Sequence, residues 1–290
     1  MAPSVNRSAS LTQPLVQQAS AGVERPLTPW MGLHVDYMWT RASDALRSID
    51  VNAPVNGIRP SPGLGNVTEI QSTGKRASDR LTVSLNLRPK KAPISGNVSY
   101  QLQTLRNSSD NATSLPSNSH NPDADWGPSA QDVRHRMVFT LNAPLLFGIR
   151  TGINLQASSA TPYTITTGRD ENGDTVFNDR PAGVGRNSER GAAHVNGTVR
   201  FTKSLAIGGA AGGVPGRPGG APSSGGDAPV RSVDGSPSAR YRMDVYAQVS
   251  NPFNHVNDNA FVGNQLSPFF RRATSAGPAR RVELGMSLSF

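Results

Sequence analysis

Residues 80–88 read Arg-Leu-Thr-Val-Ser-Leu-Asn-Leu-Arg, which puts Leu81, Val83, Leu85 and Leu87 on one side of an extended chain and Thr82, Ser84 and Asn86 on the other. A period of two marks a β-strand with one apolar and one polar face. The pattern recurs along the chain. Leu33, Val35, Tyr37 and Trp39 alternate with His34, Asp36, Met38 and Thr40. Val98, Tyr100 and Leu102 share a side, as do Met137, Phe139 and Leu141, and Ile149, Thr151, Ile153 and Leu155. So do Val195, Val199 and Phe201, and Tyr241, Met243, Val245, Ala247 and Val249. The last segment sets Val282, Leu284, Met286, Leu288 and Phe290 against Glu283, Gly285, Ser287 and Ser289. A weaker strand covers about Thr12 to Arg25, which makes about nine strands in all, and no helical period competes with them.

Composition narrows what such strands can build. Hydrophobic residues are 36% of the chain, with 29 Gly and 23 Pro, and the mean hydropathy is −0.42. A transmembrane barrel has this low mean, because only every second strand residue must be apolar. No run of about 18 apolar residues exists, so no membrane-crossing helix is expected. Met1 to Ser20 contains no apolar core of a signal peptide. Cysteine is absent, which excludes disulfide scaffolds, thiol catalysis and Cys-based zinc sites. The net charge of +9 comes from scattered pairs such as Lys90–Lys91, Arg271–Arg272 and Arg280–Arg281. They form no stripe, so no nucleic-acid partner is expected; cationic loops facing anionic lipopolysaccharide account for the charge as well.

Connection lengths alternate. Pro26–Trp30, Pro89–Pro93 and Asn142–Gly148 are short, whereas Ala42–Arg76, Arg106–Gln131, Pro162–Ala193 and Asn251–Gly277 are long. Outer-membrane barrels have short periplasmic turns and long external loops. If the strand ending at Phe290 finishes on the periplasmic side, every short turn falls there too. Ala206–Ser238 breaks the rule, and its Gly, Pro and Ser content marks residues 206–238 as a flexible insertion within one 1–290 unit. Trp30, Trp39, Phe147, Tyr163 and Tyr241 sit near strand ends, as an interfacial girdle or as ordinary packing. An odd strand count leaves unpaired edges in lipid, so the fold class expected is all-β: an incomplete antiparallel transmembrane β-barrel segment with further strands before residue 1.

Three loop motifs then resemble one family. Trp126-Gly-Pro-Ser followed by Asp132-Val-Arg-His-Arg136, Thr167–Asp174 followed by Phe177–Asn187, and Asn251-Pro-Phe-Asn-His-Val-Asn257 are similar to TonB-dependent receptors of the Oar-like group. These receptors carry a carboxypeptidase-regulatory-like domain. The resemblance implies a 22-stranded barrel holding a plug, with a TonB box that contacts TonB to drive nutrient uptake. This chain then corresponds to the last nine or so strands, and a TonB contact would run only through a plug that it lacks.

Sites of chemistry are sparse. His34, His120, His135, His194 and His255 stand alone, and no nucleophile elbow, HExxH or phosphate loop is present, so no enzyme is expected. Asp170, Asn172 and Asp174 have the spacing of oxygen ligands in calcium loops, with Asn178 and Asp179 nearby, which leaves Ca2+ as the one candidate cofactor. A turn rich in Asx and Gly reads the same residues without a cation. Arg134, His135 and Arg136 either meet lipopolysaccharide or an anionic substrate, or line a polar lumen and pair with Asp132. Asn251–Asn254 reads as a turn with Phe253 packed inside. Val282, Leu284, Met286, Leu288 and Phe290 have the form that the resemblance implies for recognition by the barrel-assembly machinery. The function expected is the wall of a TonB-dependent outer-membrane receptor in contact with outer-membrane lipid. The alternatives are a structural or adhesive outer-membrane protein and a soluble, secreted carbohydrate-binding β-sandwich.

Overall fold

Backbone polar groups in a sheet are satisfied only by neighbouring strands, so pairing order defines the architecture. The computed structural model describes residues 4–207 and 241–289. Its strands are β1 (Ser4–Arg7), β2 (Leu15–Thr28), β3 (Met31–Asp50), β4 (Val67–Leu87), β5 (Ser95–Asn107), β6 (Gly127–Pro128), β7 (His135–Pro144) and β8 (Ile149–Ser158). They continue as β9 (Pro162–Tyr163), β10 (Glu189–Arg190), β11 (His194–Ile207), β12 (Tyr241–Ser250), β13 (Asp258–Phe261), β14 (Ala273–Ala276) and β15 (Arg281–Ser289). The nine long strands form one antiparallel meander in the order β15-β12-β11-β8-β7-β5-β4-β3-β2. β1 adds to the outer part of β4 in parallel and β6 adds to β5, which makes the sheet 11-stranded. Among the described residues β2 and β15 do not pair with each other, so the sheet is an open arc. Among the described residues no second large sheet packs on it as a β-sandwich would need.

Register turns the alternation of each strand into a continuous surface. One row across the sheet is Arg25, Leu33, Leu85, Val98, Phe139, Leu155 and Gly197, and the next is Val23, Val35, Val83, Tyr100, Met137, Ala157 and Val195. At the other end of the sheet Phe201, Ala247 and Leu284 make a row beside Val199, Val249 and Val282. This face is uncovered, with Leu284 82% and Met286 77% exposed. An apolar face of this width left open to water would be far beyond what a soluble monomer shows. The opposite face is polar. Ser84 and Ser99 hydroxyls bond across strands at 2.9 Å, Asn97 Nδ2 donates to Asn86 Oδ1 at 2.8 Å, and Arg200 lies 3.8 Å over the Tyr246 ring. Tyr246 in turn covers Gly285, where a Cβ would meet its ring.

β3 and β4 hold 20 and 21 residues. A tilted strand crosses a bilayer in about 9–11 residues, so half of this hairpin stands outside it. Most of Ala42–Arg76 is therefore strand, and the loop proper is residues 51–66. The apolar alternation stops at Ala42 because a bulge lies there: the register shifts between Ala42 and Leu46, Asp44 has φ +57°, and Gly74 brings its backbone against the Ala45 carbonyl, 2.6 Å from where a Cβ would sit. Beyond the bulge Leu46, Ile49 and Ile70 fall on both faces among polar residues, and backbone pairing together with side-chain bonds such as Arg47 to Thr73 carries the hairpin on. The weak strand at the start is β2, and Ala206 and Ile207 still pair with Arg242 and Tyr241. The rest of the 206–238 insertion, like Phe290, lies outside the described residues.

Candidate functional site: the long-loop cap

Burial follows the loops and not the sheet. Among the described residues the buried apolar side chains are Ala53, Leu105, Ala160 and Ile165. The buried polar ones are far more numerous, and all but Thr151 belong to the long-loop side. A polar core persists only if its charges are paired and its hydrogen bonds are complete.

Arg186 is the hub. Its Nε donates to the Asp125 carbonyl at 2.8 Å, Nη1 to Asp110 at 2.5 Å, and Nη2 to the Asn107 carbonyl at 2.5 Å and to the Asn107 side chain. Asn187, with φ +52°, exchanges bonds with Thr164 and donates to Asp110 and to the Pro128 carbonyl. Arg180 pairs with Asp125 at 2.5 Å, and Arg190 pairs with Asp132, whose other oxygen accepts the Leu105 N–H at 2.8 Å. Arg59 bridges Asp50 and the Asp174 carbonyl. Arg47 reaches the Pro122 carbonyl and Asp123. These contacts stitch the loops at 51–66, 108–134 and 159–193 into one cap. The loop at 251–280 joins it through Thr166, which exchanges backbone bonds with Gly263 and Gln265, and through Phe261 stacked 5.7 Å from Tyr163. Tyr163 is thus inside the cap and not at a membrane interface.

Electrostatics fit this geometry. For Asp110 burial opposes ionisation, but the Ala130 N–H, the Arg186 guanidinium and the amides of Asn107 and Asn187 outweigh it and hold the carboxyl below its usual range. Arg186 itself is lowered, because burial falls mainly on the guanidinium and exceeds what Asp110 and Asp125 return. Burial, with the negative charges of Asp170 and Asp179, pushes Asp174 up against the Val176 N–H that it accepts.

The residues singled out for a cation lie in this cap. Asp170 accepts the N–H groups of Asp174 and Thr175, Asn172 accepts that of Asp174, and Asp179 accepts that of Glu171 at 2.7 Å. Asn172 and Asn178 donate to the Ser117 and Leu115 carbonyls. The oxygens of Asp170, Asn172 and Asp179 thus close a run of turns, and among the described residues no three acidic or histidine side chains are grouped to hold a metal. Among the described residues Asn178 Oδ1 is buried without a partner, beside a cavity of about 260 Å3 lined by Arg47, Arg180, Arg186 and several hydroxyls.

Asp132 pairs with Arg190 and not with Arg134 or Arg136. His135 stacks on Tyr100 and shares a 2.7 Å hydrogen bond with its hydroxyl on the apolar face, whereas Arg136 falls on the polar face opposite Gln101. Phe253 is 60% exposed, contrary to the inward packing expected of it. Asn251, at φ +48°, closes that turn through His255 and the Pro278 carbonyl, and Asn257 clamps Val195 and Asn196, so no aromatic is needed. The motifs of the first two loops converge: Gly127 lies where a Cβ would be 2.6 Å from the Arg186 carbonyl. Arg186 and Arg190 are read in sequence only as loop cations; nothing local distinguishes them from Arg169. Val282, Leu284, Met286 and Leu288 face outward on β15, an edge strand.

No curated protein matches the chain. Among solved structures it is similar to the outer membrane transporter YddB from Escherichia coli, with a TM-score of 0.62 and 11% identity over 97% of this chain and 33% of that one. It is also similar to the FrpB iron transporter from Neisseria meningitidis, with a TM-score of 0.52 and 11% identity over 97% of this chain and 32% of that one. The chain thus spans about a third of the length of each transporter and shares their fold. Residues 4–283 match the outer membrane beta barrel domain, and with its open apolar face and alternating turns the chain belongs to that family of the outer membrane.

Proposed function

We propose that the chain forms part of the barrel wall of a TonB-dependent uptake receptor, with the cap as a section of its outer mouth. In this reading the plug and TonB box are not carried by these residues. One observation carries it: a nine-strand arc with both edges unpaired among the described residues, which overlays about a third of two transporters across 97% of its own length. Unpaired edges in hydrocarbon are costly enough that the arc needs further strands to close. The polar face then lines a wet lumen, and the outward side chains of β15 are what the assembly machinery would meet.

Register also suggests where lipopolysaccharide would lie. Arg41, Ala77 and Arg106 form one row on the apolar face, just outside Trp39 and Tyr37. Arg41 packs 4.9 Å from the Trp39 ring, and Arg106 packs 5.5 Å from that of Trp126. Arg41 is already paired with Asp79 at 3.0 Å, so Arg106 is the guanidinium of this row that suits a phosphate at the outer leaflet.

A chimera carrying the preceding part of YddB ahead of this chain tests the wall reading. It should reach the outer membrane and migrate as a heat-modifiable barrel, whereas the chain alone should give no closed pore. A stable conductance from the 290 residues alone in planar bilayers would overturn it.

A further inference from the structure

Lys203 is the one charged side chain on the apolar face of β8, β11, β12 and β15 among the described residues. Its register partners are Ile149 and Val245, with Met286 opposite Val245. The next row inward is Thr151, Phe201, Ala247 and Leu284. The small Ala247 leaves a depression of about 440 Å3 bounded by Ile149, Phe201, Val245, Leu284 and Met286, with Lys203 at its short-turn end. The ammonium reaches the Phe147 carbonyl and has no carboxylate partner among the described residues. An ammonium has three donors, so two remain for another acceptor. Beside it the turn at 145–148 projects Leu146 and Phe147, 79% and 83% exposed, as apolar anchors at the membrane boundary.

We infer that this groove holds an anionic glycerophospholipid of the periplasmic leaflet, with one acyl chain over Ala247 and the headgroup phosphate, unscreened by a headgroup cation, on Lys203. The polarity fits: the cation sits toward the short turns, which face the periplasm in this family, and the apolar floor runs inward toward the bilayer centre. Charge complementarity selects the occupant. A lone ammonium on a lipid-facing register snorkels to the headgroup layer, where phosphate is the available anion. The inference rests on membrane embedding and not on transport.

Native mass spectrometry of the full chain released from detergent, titrated with phosphatidylglycerol or phosphatidylcholine, tests it. Phosphatidylglycerol should be retained at least fivefold better than phosphatidylcholine. Lys203→Met should abolish that preference, Lys203→Arg should keep it, and Ala247→Phe should reduce retention of both lipids by filling the floor. Lys203→Arg and Ala247→Phe decide the matter if Lys203→Met does not fold. Equal retention of both lipids by the wild type, or unchanged preference in Lys203→Met, would overturn the site. A chain that stays in solution without detergent would instead overturn the embedding itself.

Discussion

Replacing Arg186 with alanine removes four hydrogen bonds from the cap, one of them to a carboxylate and two to Asn107. Breaking a buried pair from one side costs about 3–5 kcal/mol, because the remaining charge stays buried without its partner. Asp110 keeps the Ala130 N–H and the Asn187 amide, and its side chain is 29% exposed, so the cost falls at the low end, about 3 kcal/mol. At 1.4 kcal/mol per decade this multiplies the opening equilibrium of the cap by roughly 150. Local opening is read by hydrogen exchange. The N–H groups of Ser108, Ala130 and Asn187, bonded to Lys75, Asp110 and Thr164, should exchange roughly 150-fold faster, while those of β8 and β11 stay unchanged. Acceleration below about tenfold would refute the view that Arg186 holds the loops together. Equal acceleration in the strands would show that the cap and the sheet open as one unit.

Gly127→Ala should destabilise the cap by about 1–3 kcal/mol, since the added Cβ meets backbone at Arg186, whereas Gly185→Ala, with open space around it, should not; thermal melts of the two variants compare them. Val83→Arg should cost about 2–4 kcal/mol in denaturant unfolding from lipid vesicles and Ser84→Arg close to nothing, because neighbours in sequence face lipid and lumen. A carboxyl held below its ordinary range contributes stability that is full above that range and is lost as pH falls through its folded value. Protection of the Ala130 N–H should therefore fade below the ordinary Asp value of 3.8, and Asp110→Asn should remove that dependence; Asp174, shifted upward, acts with the opposite sign and above 3.8, where the cap gains stability as pH falls through its raised value. Calcium should shift the melting of the wild type and of D170N/D174N equally, because backbone N–H groups already occupy these oxygens; a selective shift of the wild type would place a cation there.

Strand number, strand order and the two faces are local properties. Each strand carries its own alternation, and in a meander each pairs with its sequence neighbours, so Leu81–Leu87 and Val282–Leu288 announce both the sheet and its membrane face without knowledge of the rest. Even the side on which the long loops fall follows from their lengths. The cap is different. Arg186 and Asp110 are 76 residues apart, and Arg190 and Asp132 are 58 apart. No periodicity links them, and Arg134 and Arg136 lie nearer to Asp132 in sequence yet do not reach it. The continuation of β3 past Ala42 is equally silent, because a bulge and backbone pairing hold it and no alternation marks it. The sequence thus determined the barrel wall, whose burial is set one residue at a time by lipid on one side and water on the other. Only the tertiary structure decided the cap, because a buried charge is placed by whichever opposite charge the folded loops bring within reach.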